Sequence, residues 1–183
     1  MDQRRYIAFL VLTLLLWTAQ SALPADAASH GFIGVEGCKI CHKSEKSGNQ
    51  YGIWLASGHA KAYETLGTPA AKEAAAKLGL SGNPQEMDQC LGCHVTGHGV
   101  EKALLGEKYS ITEGVGCESC HGAGADYKSK KVMEDHAASV AAGMIVPTAE
   151  TCKTCHNEKS PSYKPFDFEK FYAKIAHPTP KSE

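Results

Sequence analysis

The sequence lacks two features that would have pointed to common classes of protein. None of its segments shows the alternation or the short apolar run of a β-strand, which predicts a mostly α fold. Positive charge is not in excess either, because 19 Lys and Arg stand against 20 Asp and Glu, a formal net charge of −1. This balance argues against nucleic acid as a partner. The composition, 43% hydrophobic and 21% charged, is that of a globular protein.

The N-terminus has too short an apolar segment for a comfortable membrane span. Arg4 and Arg5 precede an apolar run from Tyr6 to Trp17, and small residues follow that run. This pattern is typical of a secretory signal peptide, which we assign to residues 1–27. An uncleaved N-terminal anchor is the alternative interpretation.

Cleavage after the Ala25-Asp26-Ala27 tripeptide would start the mature chain at Ala28 and leave one domain, residues 28–183. The arginine pair lacks the rest of a twin-arginine pattern, so we predict export by the Sec route. No cysteine precedes Cys38, which excludes a lipoprotein anchor. We therefore expect a periplasmic or extracellular protein with no stable membrane insertion after cleavage.

All eight cysteines belong to the predicted exported part, and all are spaced C-x-x-C. The pairs are Cys38/Cys41, Cys90/Cys93, Cys117/Cys120 and Cys152/Cys155. A disulfide scaffold does not require this spacing, whereas two Cys₄ zinc sites would be compatible with it.

The residue after each pair decides between these readings. A histidine follows every pair: His42, His94, His121 and His156. With 9 histidines in 183 residues, chance would place one after all four pairs with a probability on the order of 10⁻⁵. C-x-x-C-H is the attachment signature of c-type haem, so the sequence predicts four covalently bound haems.

The chemistry of attachment explains the spacing. Two thiols form thioethers with the two vinyl groups of one porphyrin, and the adjoining imidazole becomes the proximal ligand of the iron. Four porphyrins in so short a chain must supply much of the apolar core. We predict a mostly α, small single-domain tetrahaem cytochrome c, with short helices and long loops wrapped around stacked haems.

Three segments between the motifs have helical patterns. Residues 52–67 place apolar side chains on one broad stripe, and residues 68–82 form a stronger candidate that starts at Thr68-Pro69 and stops between Gly79 and Gly82. A short aromatic-rich helix is predicted from Asp167 to Ala176.

Five histidines lie outside the motifs, against four vacant sixth positions on iron. A lone histidine is usually a surface or core residue, but vacant ferric positions favour ligation. We expect His59, on the first predicted helix, His136 and His177 to be distal ligands. His30 is close to the predicted mature terminus, where a free or propionate-bound side chain is favoured. His98 is one turn from His94 between two glycines and cannot easily reach the far face of the same haem.

The residues around the haem motifs also support this interpretation. "CKICH…SGHAKAYETL", "CLGCHVTGHG", "GVGCESCHGAG" and "IAHP" together resemble the tetrahaem cytochrome c-554 family, from about Phe32 to Pro178. The resemblance implies a mostly helical fold with stacked and perpendicular haem pairs, three irons with two histidine ligands and one iron with an open position.

Carried over by motif, the resemblance pairs His59 with His121, His136 with His42 and His177 with His156. The haem on His94 would stay open. One departure is His98, which stands where the family more usually has an aromatic residue.

Three functions fit these observations. The first is an exported electron carrier that relays electrons between other redox proteins, such as multihaem cytochromes or oxidoreductases. The second is an enzyme that reduces a small ligand such as nitric oxide at an open iron on the His94 haem, with His98 as proton donor. The third is a cytochrome polymer in which His30 ligates the next subunit. We expect a carrier rather than an enzyme.

Overall fold

The computed structural model describes residues 30–177, and the predicted signal peptide lies outside this range. Within it, short α-helices alternate with long loops. In chain order they are α1 Val35–His42, α2 Gln50–Leu55, α3 Ala62–Thr65, α4 Pro69–Lys77, α5 Asp88–His94, α6 Cys117–His121, α7 Lys130–Met133, α8 His136–Ala141, α9 Ala149–Lys153 and α10 Phe168–Tyr172.

The remaining regular structure is sparse. Single 3₁₀ turns cover Glu45–Ser47, Pro84–Glu86, Lys102–Leu104 and Ile111–Glu113. The described residues contain no β-strand, only one isolated parallel bridge between Phe32 and Leu105. The mostly α prediction is therefore confirmed. No helix between residues 30 and 177 is long and apolar enough to cross a membrane.

The helix predicted over residues 68–82 is present as α4, with the predicted start and stop. Thr68 is the N-cap of α4, and its hydroxyl accepts a hydrogen bond from Ala71 N–H at 3.3 Å. The helix ends at Lys77, and Gly79 follows with φ of +72°. The predicted stop signal is thus correct, because this left-handed conformation suits glycine and ends the α-helix.

The helix predicted over residues 52–67 was wrong in its continuity. It is divided into α2 and α3, and His59 lies in the turns between them rather than on a helix. The hydroxyl of Ser57 accepts the His59 N–H at 3.2 Å, and Lys61 N–H donates to Gly58 O at 3.2 Å. These local bonds compete with the α-helical pattern at a serine and a glycine.

The C-terminal helix is also shorter than predicted. Asp167 is its N-cap, and its carboxylate accepts Lys170 N–H at 3.1 Å, which confirms the predicted start. The α-helix ends at Tyr172, and turns continue to Ile175. The predicted end at Ala176 was therefore several residues too late.

The apolar core made by the polypeptide alone is small. Six hydrophobic side chains are buried among the described residues: Val35, Leu66, Ala75, Leu91, Val95 and Tyr127. By contrast, Ile40 is 63% exposed and Val146 is 55% exposed. So few buried side chains agree with a fold in which porphyrins supply apolar volume.

Polar contacts hold the loops where the core is thin. The Thr96 side chain, 5% exposed, accepts Gly116 N–H at 2.7 Å and exchanges a 2.7 Å hydrogen bond with Ser119 Oγ. The Tyr109 hydroxyl donates to Thr96 O at 2.6 Å. These bonds tie the segment after α5 to the start of α6. Two of the predicted haem motifs are thereby joined.

Gly34 is a position where the backbone admits no other residue. Its φ is +76°, and a Cβ there would lie 2.5 Å from the carbonyl oxygen of Lys108. Gly34→Ala should therefore lower the free energy of unfolding by about 2 kcal/mol or more, through backbone strain and the clash. Thermal unfolding followed by circular dichroism measures this loss.

Gly58→Ala is the matched control for this test. A Cβ at Gly58 meets no atom within 4 Å, and its φ is not positive. We expect its melting temperature to stay close to that of the parent protein. Equal melting temperatures for Gly34→Ala and the parent would contradict the constraint.

Candidate haem-binding site

Each C-x-x-C pair lies on about one helical turn. Residues three apart share a face of an α-helix, so the two thiols of a pair point to the same side. The first three pairs lie on α1, α5 and α6, and the fourth spans the end of α9. None of the eight cysteines is in a disulfide bond. Each pair is therefore available to one flat ligand beside its helix.

Cys41 differs from the other seven cysteines in its burial. It is exposed, whereas the others are all partly buried. The physical reason is that α1 packs on α6 through the side that carries Cys38, and Cys41 follows the exposed Ile40 near the end of the helix. The polypeptide alone does not cover this thiol, and its bond to a haem stays a prediction.

The first motif faces the third, and the second faces the fourth. Helix α1 packs against α6, and the Cys38 thiol lies within hydrogen-bonding reach of Cys117. Cys93 lies beside Cys155 in the same way. Burial, followed by the charge of Cys155, raises the pKa of Cys93 to about 11. These contacts join the first motif to the third and the second to the fourth as two interleaved sets, and Cys120 of the third motif also lies near Cys152 and Cys155 of the fourth.

Three of the motif histidines have their ring orientation fixed through Nδ1. Nδ1 of His94 lies 2.8 Å from Ala62 O, and Nδ1 of His121 lies 3.2 Å from Ile145 O. A carbonyl oxygen only accepts, so Nδ1 carries the proton in both rings. Nδ1 of His42 lies 3.2 Å from Gln50 Oε1. Nε2 is then left with its lone pair, as in metal-ligating histidines held by a second hydrogen bond.

The fourth motif histidine is held by an aromatic contact. The His156 ring stacks on Phe166, with 4.8 Å between ring centroids and 18° between planes. Phe166 in turn stacks on Phe171 of α10 at 5.5 Å. The C-terminal helix therefore supports the fourth motif.

Two motif histidines face a second histidine. The ring centroids of His59 and His156 are 6.0 Å apart, and those of His121 and His177 are 5.9 Å apart. A metal–imidazole bond of about 2 Å, with the ring centre about 1 Å beyond the nitrogen, puts two imidazoles on opposite sides of one metal about 6 Å apart. Both separations fit one iron between the rings.

The protonation of these rings suits ligation. Burial, followed by the charge of His156, lowers the pKa of His59, and burial together with His177 and His42 lowers the pKa of His121. Both rings are therefore neutral near pH 7, which is the form that binds a metal. Nδ1 of His177 donates to Ile175 O at 3.1 Å, which leaves its Nε2 free for a ligand.

The pairing expected from the resemblance differs from this arrangement. His59 was expected opposite His121, and His177 opposite His156, but the structure exchanges the two partners. The turn that contains His59 places its ring against His156 of the fourth motif. His177 follows α10 and lies against the third motif. Each of the two histidines thus lies against a motif histidine other than the expected one, and its ligation of an iron stays a prediction.

His136 is not brought into such a pair. It is the first residue of α8, it is exposed, and no ring contact or hydrogen bond in residues 30–177 joins it to His42. Its pairing with His42 stays a prediction.

His98 is directed to its own helix. Its Nε2 lies 3.2 Å from Asp88 Oδ1 at the start of α5, and its side chain is 23% exposed. Gly97 and Gly99, with φ of +67° and +79°, form the turn that places it there. His98 also lines an open cavity of about 310 Å³ together with Cys93 and Cys155. Its ring nitrogen is thus engaged with a carboxylate beside the second motif.

His30 is anchored near the third motif. Its Nδ1 lies 2.5 Å from Asp126 Oδ2, and its ring lies over Gly143. This contact engages the ring in the described part of the chain. It was not anticipated from the sequence.

The donor set fits haem c. The thiols are arranged in pairs, each pair has an adjacent imidazole with a fixed orientation, and two of these imidazoles face a second one across a metal-sized gap. Between residues 30 and 177, no group of three or more His, Cys, Asp or Glu side chains converges as a protein-only metal cage. Haem iron needs only one or two protein ligands, because the porphyrin supplies the others.

Sequence reasoning missed the groups that orient the imidazoles. Gln50 and Phe166 are side chains that could have been considered, but Ala62 O and Ile145 O are backbone atoms with no sequence signal. The contact of Phe166 with His156 depends on the turn between them. Only the structure reveals these supports.

Helices that present paired thiols and oriented imidazoles define a c-type cytochrome with several haems. The sequence model of the family Cytochrome c554 and c-prime matches residues 37–122. Cytochrome c-554 of Nitrosomonas europaea is 36% identical over 118 residues, which are 63% of this chain and 47% of that protein. The aligned segment thus spans about half the length of this relative.

A solved structure extends the similarity over more of the chain. The reduced state of cytochrome c554 from Nitrosomonas europaea superposes with a TM-score of 0.53 and 32% identity, and covers 80% of this chain and 78% of that one. The chain belongs to the cytochrome c-554 family, a family of multihaem electron-transfer cytochromes with covalently bound haem c. The recognition made from the motifs is confirmed.

The facing imidazoles give a spectroscopic prediction. His59→Ala and His177→Ala should each convert one low-spin ferric iron to high-spin, because each substitution removes one of two strong axial ligands. The double variant should convert two. Electron paramagnetic resonance of the oxidised protein counts the irons of each kind.

His30→Ala is the control, since Asp126 and not a motif histidine is its partner. It should leave the number of low-spin irons unchanged. A His59→Ala or His177→Ala spectrum identical to that of the parent would show that the removed ring is not a ligand.

Proposed function

We propose that this chain is an exported electron carrier that holds four covalent haems. The thiol pairs Cys38/Cys41, Cys90/Cys93, Cys117/Cys120 and Cys152/Cys155 attach them, and His42, His94, His121 and His156 are the proximal ligands. The observation that carries the proposal is the pair of histidine contacts at 6.0 and 5.9 Å, each of which involves a motif histidine. Family membership supports it independently.

The facing rings support a proposal for two of the distal ligands. His59 is the second ligand opposite His156, and His177 is the second ligand opposite His121. His136 is proposed for the iron on His42, on the grounds of the resemblance alone. Histidine on both sides keeps an iron at a lower potential than methionine and histidine do.

The interleaved motifs support a relay. Haem iron supplies the one-electron exchange between the ferric and ferrous states. The protein's own contribution is to bring Cys38 beside Cys117 and Cys93 beside Cys155. Because electron tunnelling falls steeply with distance, neighbouring attachment points favour transfer within each set. The motif contacts therefore support rapid exchange between closely spaced centres.

Partners and location remain parts of the proposal. The basic start, short apolar run and small-residue site of residues 1–27 support export to the periplasm or another extracytoplasmic space. Other redox proteins there, such as multihaem cytochromes or oxidoreductases, would give and take the electrons. A surface with almost balanced charge suits brief encounters with proteins rather than binding to nucleic acid.

The first prediction concerns the haem count. The intact mass of the mature protein should exceed that of residues 28–183 by four haems, because each motif forms two thioether bonds. Mass spectrometry under denaturing conditions measures it, and acid–acetone extraction should leave the colour with the protein. A mass gain of three haems, or extraction of any haem, would contradict the proposal.

The second prediction concerns the iron on His94, which we propose is open on its distal side. The 3.2 Å contact of His98 with Asp88 supports an open position, so the ferrous protein should bind carbon monoxide at one haem in four. Difference spectra during a carbon monoxide titration measure the fraction.

The His98→Ala variant tests whether His98 closes the iron on His94. We expect this variant to bind carbon monoxide at the same one haem. Four low-spin irons and no carbon monoxide binding in the parent would show that the position is closed. Binding gained only in His98→Ala would identify His98 as the closing ligand.

A further inference from the structure

Glu118 is a carboxylate buried inside a haem motif. It is the second residue of the Cys117–His121 motif, and it is 4% exposed. Burial of a carboxylate is costly unless hydrogen bonds or a cation compensate it. Neither the attachment of a haem nor the ligation of an iron requires a carboxylate at this position. Its burial therefore calls for another role.

Three backbone N–H groups surround this carboxylate. Oε1 accepts from Ile33 N–H at 2.9 Å and from Gly124 N–H at 2.6 Å, and Oε2 accepts from Gly34 N–H at 2.9 Å. Ile33 and Gly34 directly precede α1, which carries the first motif. Glu118, a side chain of the third motif, thus binds the backbone directly before the helix that carries the first motif.

A second carboxylate completes the contact. Gly34, the N-cap of α1, provides no side-chain cap, and Glu113 accepts the N–H of Val35 at 3.0 Å. Both carboxylates therefore cap α1 from outside the helix, at its positive end. This explains how α1 and α6 stay packed although few apolar side chains lie between them.

The charge of Glu118 is not neutralised by a cation. The ion pairs between residues 30 and 177 involve other carboxylates, namely Glu36, Asp88, Asp126, Glu134 and Glu150. The titratable groups around Glu118 are Glu113, Cys38, Cys117, Tyr109 and Tyr127, none of which is a cation.

The negative charge of Glu118 also acts on a cysteine that is predicted to attach haem. Contact with Cys117 and burial raise the pKa of Cys38, and the charges of Cys117, Glu118 and Glu113 raise it further. Burial raises the pKa of Glu113 as well, and the charge of Glu118 adds to this effect. A negative charge that acts on the thiol of a motif also acts on the iron beside it.

We propose that Glu118, together with Glu113, is a positioning residue that locks the first haem motif against the third and lowers the reduction potential of the two haems there. An anion in a poorly solvated site stabilises the ferric over the ferrous charge, so reduction becomes less favourable. The inference rests on the proposed function, because it requires haems at both motifs.

The experiment is a potentiometric titration of the holoprotein at about pH 8, where exposed carboxylates are ionised. The Glu118→Gln variant keeps the size of the side chain and removes its charge. We expect reduction of two of the four haems to become at least tenfold more favourable, which is about 59 mV for a one-electron couple. Glu118→Asp retains the charge and should restore most of the difference.

Glu36→Gln is the matched control. Glu36 is on the same helix as the first motif but exposed and paired with Lys39 at 2.9 Å, so its neutralisation should leave all potentials unchanged. A folded Glu118→Gln protein with four haems and the parent's potentials would overturn the proposal. A shift of equal size in Glu36→Gln would also overturn it, because the effect would then be one of general charge.

Glu113→Gln keeps the test decisive if Glu118→Gln fails to mature. It removes the charge of a carboxylate that accepts two backbone N–H groups, those of Val35 and Glu36, and it should raise the same two potentials by a smaller amount. Unchanged potentials in this variant, with all haems present, would refute the electrostatic role. The haem count of the parent, measured separately by mass, tests the proposed function itself, so the two failures are distinguishable.

Discussion

Two opposed imidazole pairs constrain the path of the chain. His59 and His156 come from opposite halves of the described region, whereas His121 and His177 both come from its second half, and both pairs leave a gap that fits one metal ion. To close them, the segment after α2 must return to the fourth motif, and α10 must return to the third. The division of the predicted helix into α2 and α3 is compatible with this path. A longer helix through His59 would carry the ring away from its partner.

Because the apolar core is small, other contacts must also hold the helices in place. Six buried hydrophobic side chains do not hold the ten helices of the described region together without further contacts. The structure supplies these as polar ties with complete hydrogen bonding, such as Thr96 between the second and third motifs and Glu118 between the third and first. Such ties are directional, so they fix the relative orientation of motifs where apolar packing would permit sliding. The proposed relay depends on that orientation.

The sequence predicted local features better than long-range ones. The C-x-x-C-H motifs, the Thr68 cap of α4 and the Asp167 cap of α10 each depend on a few neighbouring residues, and the last two are confirmed. The division of the helix at His59 was not predicted, because the apolar stripe continued across Ser57 and Gly58. The partners of His59 and His177 were exchanged, since spacing along the chain contains no information on which motif a loop reaches. Ala62 O and Ile145 O, which orient two rings, belong to the backbone and leave no mark in the sequence.

The interleaved order of the motifs has a consequence for modularity. Two two-haem units joined in tandem would show contacts only between the first and second motifs and between the third and fourth. Here Cys38 neighbours Cys117 and Cys93 neighbours Cys155, so any cut between the second and third motifs separates both sets. Neither half of the chain is a self-contained building block. A fragment with only the first two or only the last two motifs would lose both of these contacts.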